Sequence, residues 1–120
     1  MLYSIDSGSH IDSIPHREDY DRWRRKMSDH DYNGIMAALN EMIEGSEIQT
    51  SSWMPGNDWT DTVFEPIYTK ACDYDETASA KFFGLLVWEV MLKHEATWAF
   101  GRYQLNGIPI EGLTYFQVTL

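Results

Sequence analysis

The sequence predicts an α+β domain in which three or four helices pack on a small C-terminal antiparallel sheet. Three observations predict it. The run Glu76 to His94, ETASAKFFGLLVWEVMLKH, holds the longest apolar stretch and is too long for an ordinary strand, so it reads as a central helix. Two shorter stretches before it repeat apolar residues at helical spacing. After His94 the period changes to two, and Asn106-Gly107 is a strong hairpin signal.

Taken in order, Leu2, Tyr3 and Ile5 suit a short strand or a tacked-down arm, and Ser7-Gly8-Ser9 suits a loop. Pro15 fits a helix start, where its missing N–H costs nothing. The following helix, His16 to Met27, has Glu18 and Asp19 in its first turn and Arg24, Arg25 and Lys26 in its last, an order that matches the helix dipole. Tyr20, Trp23 and Met27 face the core. Ser28-Asp29 breaks and recaps the chain. Asp29 to Glu44 is a second helix with Ile35, Met36, Leu39, Met42 and Ile43 inside, and Gly45 is its stop.

Glu47 to Trp53 is strand-like, and Met54 to Thr60 is a loop. Thr62 and Glu65 have capping-box spacing for a short helix ending at Ala71, with Pro66 in its first turn. Asp75 caps the central helix, and Lys93 and His94 close it. Ala80, Phe83, Leu86, Val87, Val90 and Met91 share one face of that helix. Leu85, Trp88 and Leu92 lie opposite, around Lys81. A helix apolar nearly all round needs cover on both sides. The C-terminal sheet is expected to cover the Trp88 side and complete a monomer; the alternative is a homodimer through that face. Leu113 to Thr119 is the last strand.

The chain of 120 residues has room for a single domain with one core. It is not a membrane protein by this reading, because Glu89 interrupts an apolar run already too short to span a bilayer. A lone Cys72 excludes an internal disulfide framework. The first residues, MLYSIDSGSH, lack the basic and apolar parts of a secretory leader, so a reducing cytoplasmic setting is expected.

Formal net charge is -10, which disfavours direct nucleic-acid binding, since phosphates reward Lys and Arg. The distribution is uneven. Five of the nine basic residues fall between Arg17 and Lys26, and none falls between Met27 and Thr69. That second stretch carries Asp29, Asp31, Glu41, Glu44, Glu47, Asp58, Asp61 and Glu65.

Chemical motifs are sparse. Asp29-His30-Asp31-Tyr32-Asn33-Gly34 matches half of an EF-hand loop, but the bidentate Glu is absent at the required place, which favours a capped helix start. His10, Asp12, His16, His30 and Asp31 offer imidazole and carboxylate ligands without a metalloenzyme spacing. No metal or cofactor is therefore assigned. Cys72 lacks a nucleophile's flanking signature and reads as a structural thiol. Asp73, Asp75 and Glu76 read as helix caps rather than an acid–base cluster. Trp53 and Trp59 flank a turn; buried they extend the core, exposed they are interface anchors.

The expected function is a non-enzymatic, acidic protein-binding module of the inhibitor, immunity or adaptor kind, docking on a basic partner surface. Its candidate contact residues are Asp29, Asp31, Glu41, Glu44, Glu47, Trp53, Asp58 and Trp59. The carboxylates of Asp29, Asp31, Glu41, Glu44 and Glu47 are expected to be solvent-exposed, for want of basic neighbours in that stretch. Two alternatives stand beside it. One is a homo-oligomeric structural protein pairing the basic helix of one copy with the acidic stretch of another. The other is a small-ligand or metal-dependent enzyme using the N-terminal His and Asp residues.

Overall fold

The structure, a computed structural model, describes residues 1–44, 48–50, 59–101, 104–105, 107–109 and 113–119. The described elements run β1 (Leu2–Ser4), β2 (Ser9–Ile11), α1 (Arg17–Arg25), α2 (Asp29–Ile43), β3 (Ile48–Thr50), a π-helical turn (Ile67–Ala71), α3 (Glu76–Lys93), β4 (Trp98–Gly101), β5 (Gln104–Leu105), β6 (Ile108–Pro109) and β7 (Thr114–Gln117). This is the expected α+β class, with α3 at its centre. The expected stop at Gly45, most of the loop from Met54 to Thr60, and Asn106 lie outside the described residues.

The caps explain where the helices begin. Ser28 Oγ accepts the Asp31 N–H at 3.1 Å and opens α2. Asp75 accepts the Ala78 N–H at 3.0 Å and opens α3. The expected capping box at Thr62 is displaced by one residue. Thr62 Oγ1 accepts from the Phe64 N–H, and the Glu65 carboxylate accepts from the Asp61 N–H. The turn from Ile67 to Ala71 is wider than an α-helix: the Cys72 N–H reaches back to the Ile67 carbonyl at 3.0 Å. Asp73 and Tyr74 then take positive φ values, 51° and 66°, and turn the chain into α3.

The main sheet has the order β2-β1-β4-β7-β3. Its C-terminal centre is the antiparallel pair β4–β7, with Ala99 opposite Phe116 and Phe100 opposite Tyr115. The N-terminal strand makes the sheet mixed, because β1 joins β4 in parallel, Leu2 beside Trp98. A small hairpin, β5–β6, pairs Leu105 with Ile108 around Gly107, whose φ of 81° suits a tight turn.

Three groups cover α3. Helix α1 lays Tyr20 and Trp23 against Phe82, with ring centroids 5.9 and 5.6 Å apart. Trp59 and Phe64 pack on Phe83. The sheet side meets Trp88, which packs on Phe100 at 4.7 Å and donates its indole N–H to the Ser13 carbonyl at 3.0 Å. On the Trp88 side Leu85 is buried, while Trp88 and Leu92 are half-buried. Two residues depart from the predicted faces. Ala80 is exposed rather than buried, and so is Met42 on α2, while Ile35, Leu39 and Ile43 are buried. Glu89, which only interrupted the apolar run in the sequence, lies inside the core at 4% exposure.

Candidate functional site

The acidic stretch resolves into an exposed helix face and a set of internal ion pairs. On α2, Asp29, Asn33, Ala37, Asn40 and Glu41 are exposed, with Glu44 just past the helix end. They lie away from the buried line Ile35–Leu39–Ile43. The helix itself carries no Lys or Arg.

Cations reach this stretch from outside it. Arg24 pairs with Asp29 at 2.7 Å while its guanidinium lies 4.0 Å from the Tyr32 ring. Lys70, one residue past the Lys- and Arg-free stretch, pairs with Asp31 at 2.8 Å. That contact overturns the expectation that Asp31 stands exposed without a partner: its side chain is only 17% exposed. The Lys70 hydrogen bond holds the Asp31 carboxyl below its usual range.

Glu44 meets His94 Nε2 at 3.2 Å. His94 Nδ1 accepts from the Ala96 N–H and the Trp98 indole N–H, so the proton of the neutral ring sits on Nε2 and points to Glu44. Glu41 is exposed and makes no ion pair among the described residues. Trp59 is half-buried against Phe64 and Phe83, an extension of the core. Glu47, Trp53 and Asp58 lie outside the described residues.

The basic helix is also engaged within the chain. Arg17 pairs with Asp21, Arg22 with Asp19, and Lys26 with Asp73 at 2.6 Å. The metal-ligand candidates are not gathered. His10 stacks edge-on against Tyr3, Asp12 and His30 are exposed, and Asp31 is held by Lys70. Among the described residues no three His, Cys, Asp or Glu side chains are grouped to hold a metal ion. The half EF-hand is the opening of α2, where Ser28 caps and the backbone is helical.

Cys72 is buried, and burial pushes its thiol up to about 11, so it is protonated at neutral pH and a poor nucleophile. Asp75 caps α3, as expected, whereas Asp73, also read as a cap, pairs with Lys26 instead.

Two arrangements escaped the sequence. The first is the buried Glu89 carboxylate, which accepts hydrogen bonds from the hydroxyls of Tyr20, at 2.5 Å, and Tyr32. Lys93 Nζ lies 3.7 Å away. Burial foremost, with Glu89 adding to it, raises both phenols above their ordinary value, Tyr20 by far. A lone Glu inside an apolar helical run was the available signal. The second is a cleft of ≈ 380 Å³ between α1, α3 and β7. Its lining includes Trp23, Trp88, Tyr115 and Gly84, and the exposed His16 and Lys81 border it. His16 caps α1 with φ 52°, an uncommon conformation for a residue with a side chain. Nothing in the sequence pattern joins these positions, which come together only through tertiary packing.

No family model, curated protein or solved structure matches the chain. Among the described residues no helix is long and apolar enough to cross a membrane.

Proposed function

We propose that the chain is a non-enzymatic binding module of the cytoplasm that docks on a basic protein surface through the exposed face of α2. One observation carries the reading: that face presents Asp29, Glu41 and Glu44 to solvent on a helix without Lys or Arg. Among the described Lys and Arg residues, Arg17, Arg22, Arg24, Lys26, Lys70 and Lys93 each face a carboxylate of the same chain, whereas Arg25 and Lys81 do not. Internal pairing therefore mutes the positive side of the charge balance, and the outward field of a chain of net charge -10 is negative. Such a field steers a basic partner and repels nucleic acid.

Asp31 leaves the proposed contact set, because Lys70 holds it and its side chain is only 17% exposed, whereas Asp29 and Glu44 keep 89% and 70% exposure beside their partners. The remaining contacts are Asp29, Glu41 and Glu44, to which Glu47, Trp53, Trp59 and Asp58 were joined on sequence grounds. The test compares the wild-type chain with the double variant Glu41→Lys, Glu44→Lys as bait in an extract of the native host. Retained proteins are identified by mass spectrometry at low and high salt. Wild type is expected to retain a basic protein that high salt releases and that the variant does not hold. Equal retention by both baits, unaffected by salt, overturns the docking surface.

A further inference from the structure

The cleft between α1, α3 and β7 has the size of a small-molecule site, since such pockets begin near about 300 Å³. Three features of its lining describe an occupant. Trp23 and Trp88 make it aromatic. Gly84 leaves space in the lining: a Cβ built there meets nothing within 4 Å. Tyr115 adds a buried phenol residue to the lining.

Tyr115 is only 1% exposed, and among the described residues no side chain or backbone group bonds its hydroxyl. Burial alone pushes its pKa up. Among the described residues the one sealed, unpartnered side-chain polar atom is Thr114 Oγ1. The Tyr115 hydroxyl is not among such sealed atoms, and Tyr115 lines the cleft. A buried hydroxyl without a partner is costly, and a ligand atom able to bond it recovers that cost.

Charge adds the third element. Lys81, bordering the cleft, is exposed and makes no ion pair among the described residues, unlike the six paired cations. Asp19, also in the lining, is taken up by Arg22 at 2.9 Å. On a chain of net charge -10, this is a local spot that favours an anion.

We propose that the cleft binds a small planar aromatic acid. Its ring lies over Gly84 between the indoles of Trp23 and Trp88, a polar ring atom meets the Tyr115 hydroxyl, and its carboxylate stays with Lys81. The site is separate from the α2 face and does not depend on it.

Indole-3-acetate is a suitable probe, with indole-3-acetamide and plain acetate as controls. Titrations follow the indole N–H signals of the ¹⁵N-labelled full chain by NMR. Indole-3-acetate is expected to give saturable shifts at Trp23 and Trp88, and acetate none. Lys81→Gln is expected to weaken the acid by about tenfold and leave the amide unchanged, as loss of one charge contact predicts. Gly84→Leu is expected to abolish binding of both while the thermal midpoint holds, because the space it fills is empty. Gly84→Ala, which intrudes less, serves if the Leu variant unfolds, and is expected to weaken both probes. Absence of saturable shifts with wild type, undiminished binding by the folded Gly84 variant, or equal weakening of acid and amide by Lys81→Gln each overturns the proposal.

Discussion

Tyr20 on α1 donates its hydroxyl to the Glu89 carboxylate on α3 at 2.5 Å, across 69 positions of sequence. Tyr32 on α2 bonds the other carboxylate oxygen, so one buried acid ties three helices together. Hydrogen bonds to charged groups are worth about 1.5–3 kcal/mol each, and a buried acid left without them is heavily penalised. Tyr20→Phe should lower unfolding free energy in urea by about 1.5–3 kcal/mol. Glu89→Gln should be less stable than wild type, because an amide cannot accept both bonds equally well. Wild-type stability in either variant would remove Glu89 from the list of structural ties.

Alkaline pH should destabilise the fold. Tyr20, Tyr32 and Tyr115 have pKa values raised above the ordinary 10.0, and Cys72 is raised from 9.0 to about 11. A raised value means that the folded state holds the proton more tightly than the unfolded state. Their contribution is intact below the unfolded values and is lost as pH rises through and beyond them. Denaturant midpoints should be unaffected by these groups at neutral pH and fall from about pH 9 upward, where the unfolded thiol begins to ionise. The fall should be shallower in Tyr115→Phe, and an unchanged slope would refute the assignment.

Trp88 packs on Phe100 and bonds the Ser13 carbonyl within its own chain. Because it is half-buried, Trp88→Ala should cost about 3 kcal/mol, the low end of the range for a core Trp. The loss should be the same at every protein concentration. A dimeric parent yielding a folded monomeric variant, seen by sedimentation, would instead make this face an interface.

Asp75→Ala removes the cap of α3 and should lower stability by about 1 kcal/mol, with Asp75→Asn close to wild type. Urea midpoints measured under one condition suffice to compare the three proteins.

The Cys72 thiol should resist alkylation in the native state and react once the chain unfolds. Mass spectrometry after iodoacetamide treatment, with and without denaturant, reads this directly. Rapid native labelling at neutral pH would contradict the burial of the thiol.

Local signals carried much of the architecture. Ser28, Asp75 and the 3.6-residue periodicity of α2 and α3 act over a few residues, and the sequence displays them. The parallel pairing of β1 with β4 was not legible, because strand order depends on contacts distant in sequence. The same distance hid the Asp31–Lys70 pair: a stretch without cations is not a surface without cations. Glu89 was visible as an oddity, but the two phenols that hold it come from other helices. The cleft was the least legible, since its lining includes a glycine and side chains from three separate elements.

The position of β1 has a further consequence, for the order of assembly. Leu2 is fully buried, and the strand it belongs to sits between β2 and β4 in the sheet. A growing polypeptide makes Leu2 early and Trp98 only after all the helices. Until then β1 has only its short hairpin with β2, which is marginal in water on its own. Closing so long a loop is entropically unfavourable, and contacts of this range slow folding. The sheet cannot be completed before β4 is made, and a nascent chain cut short before β4 would retain its helices' apolar faces without the layer that covers them.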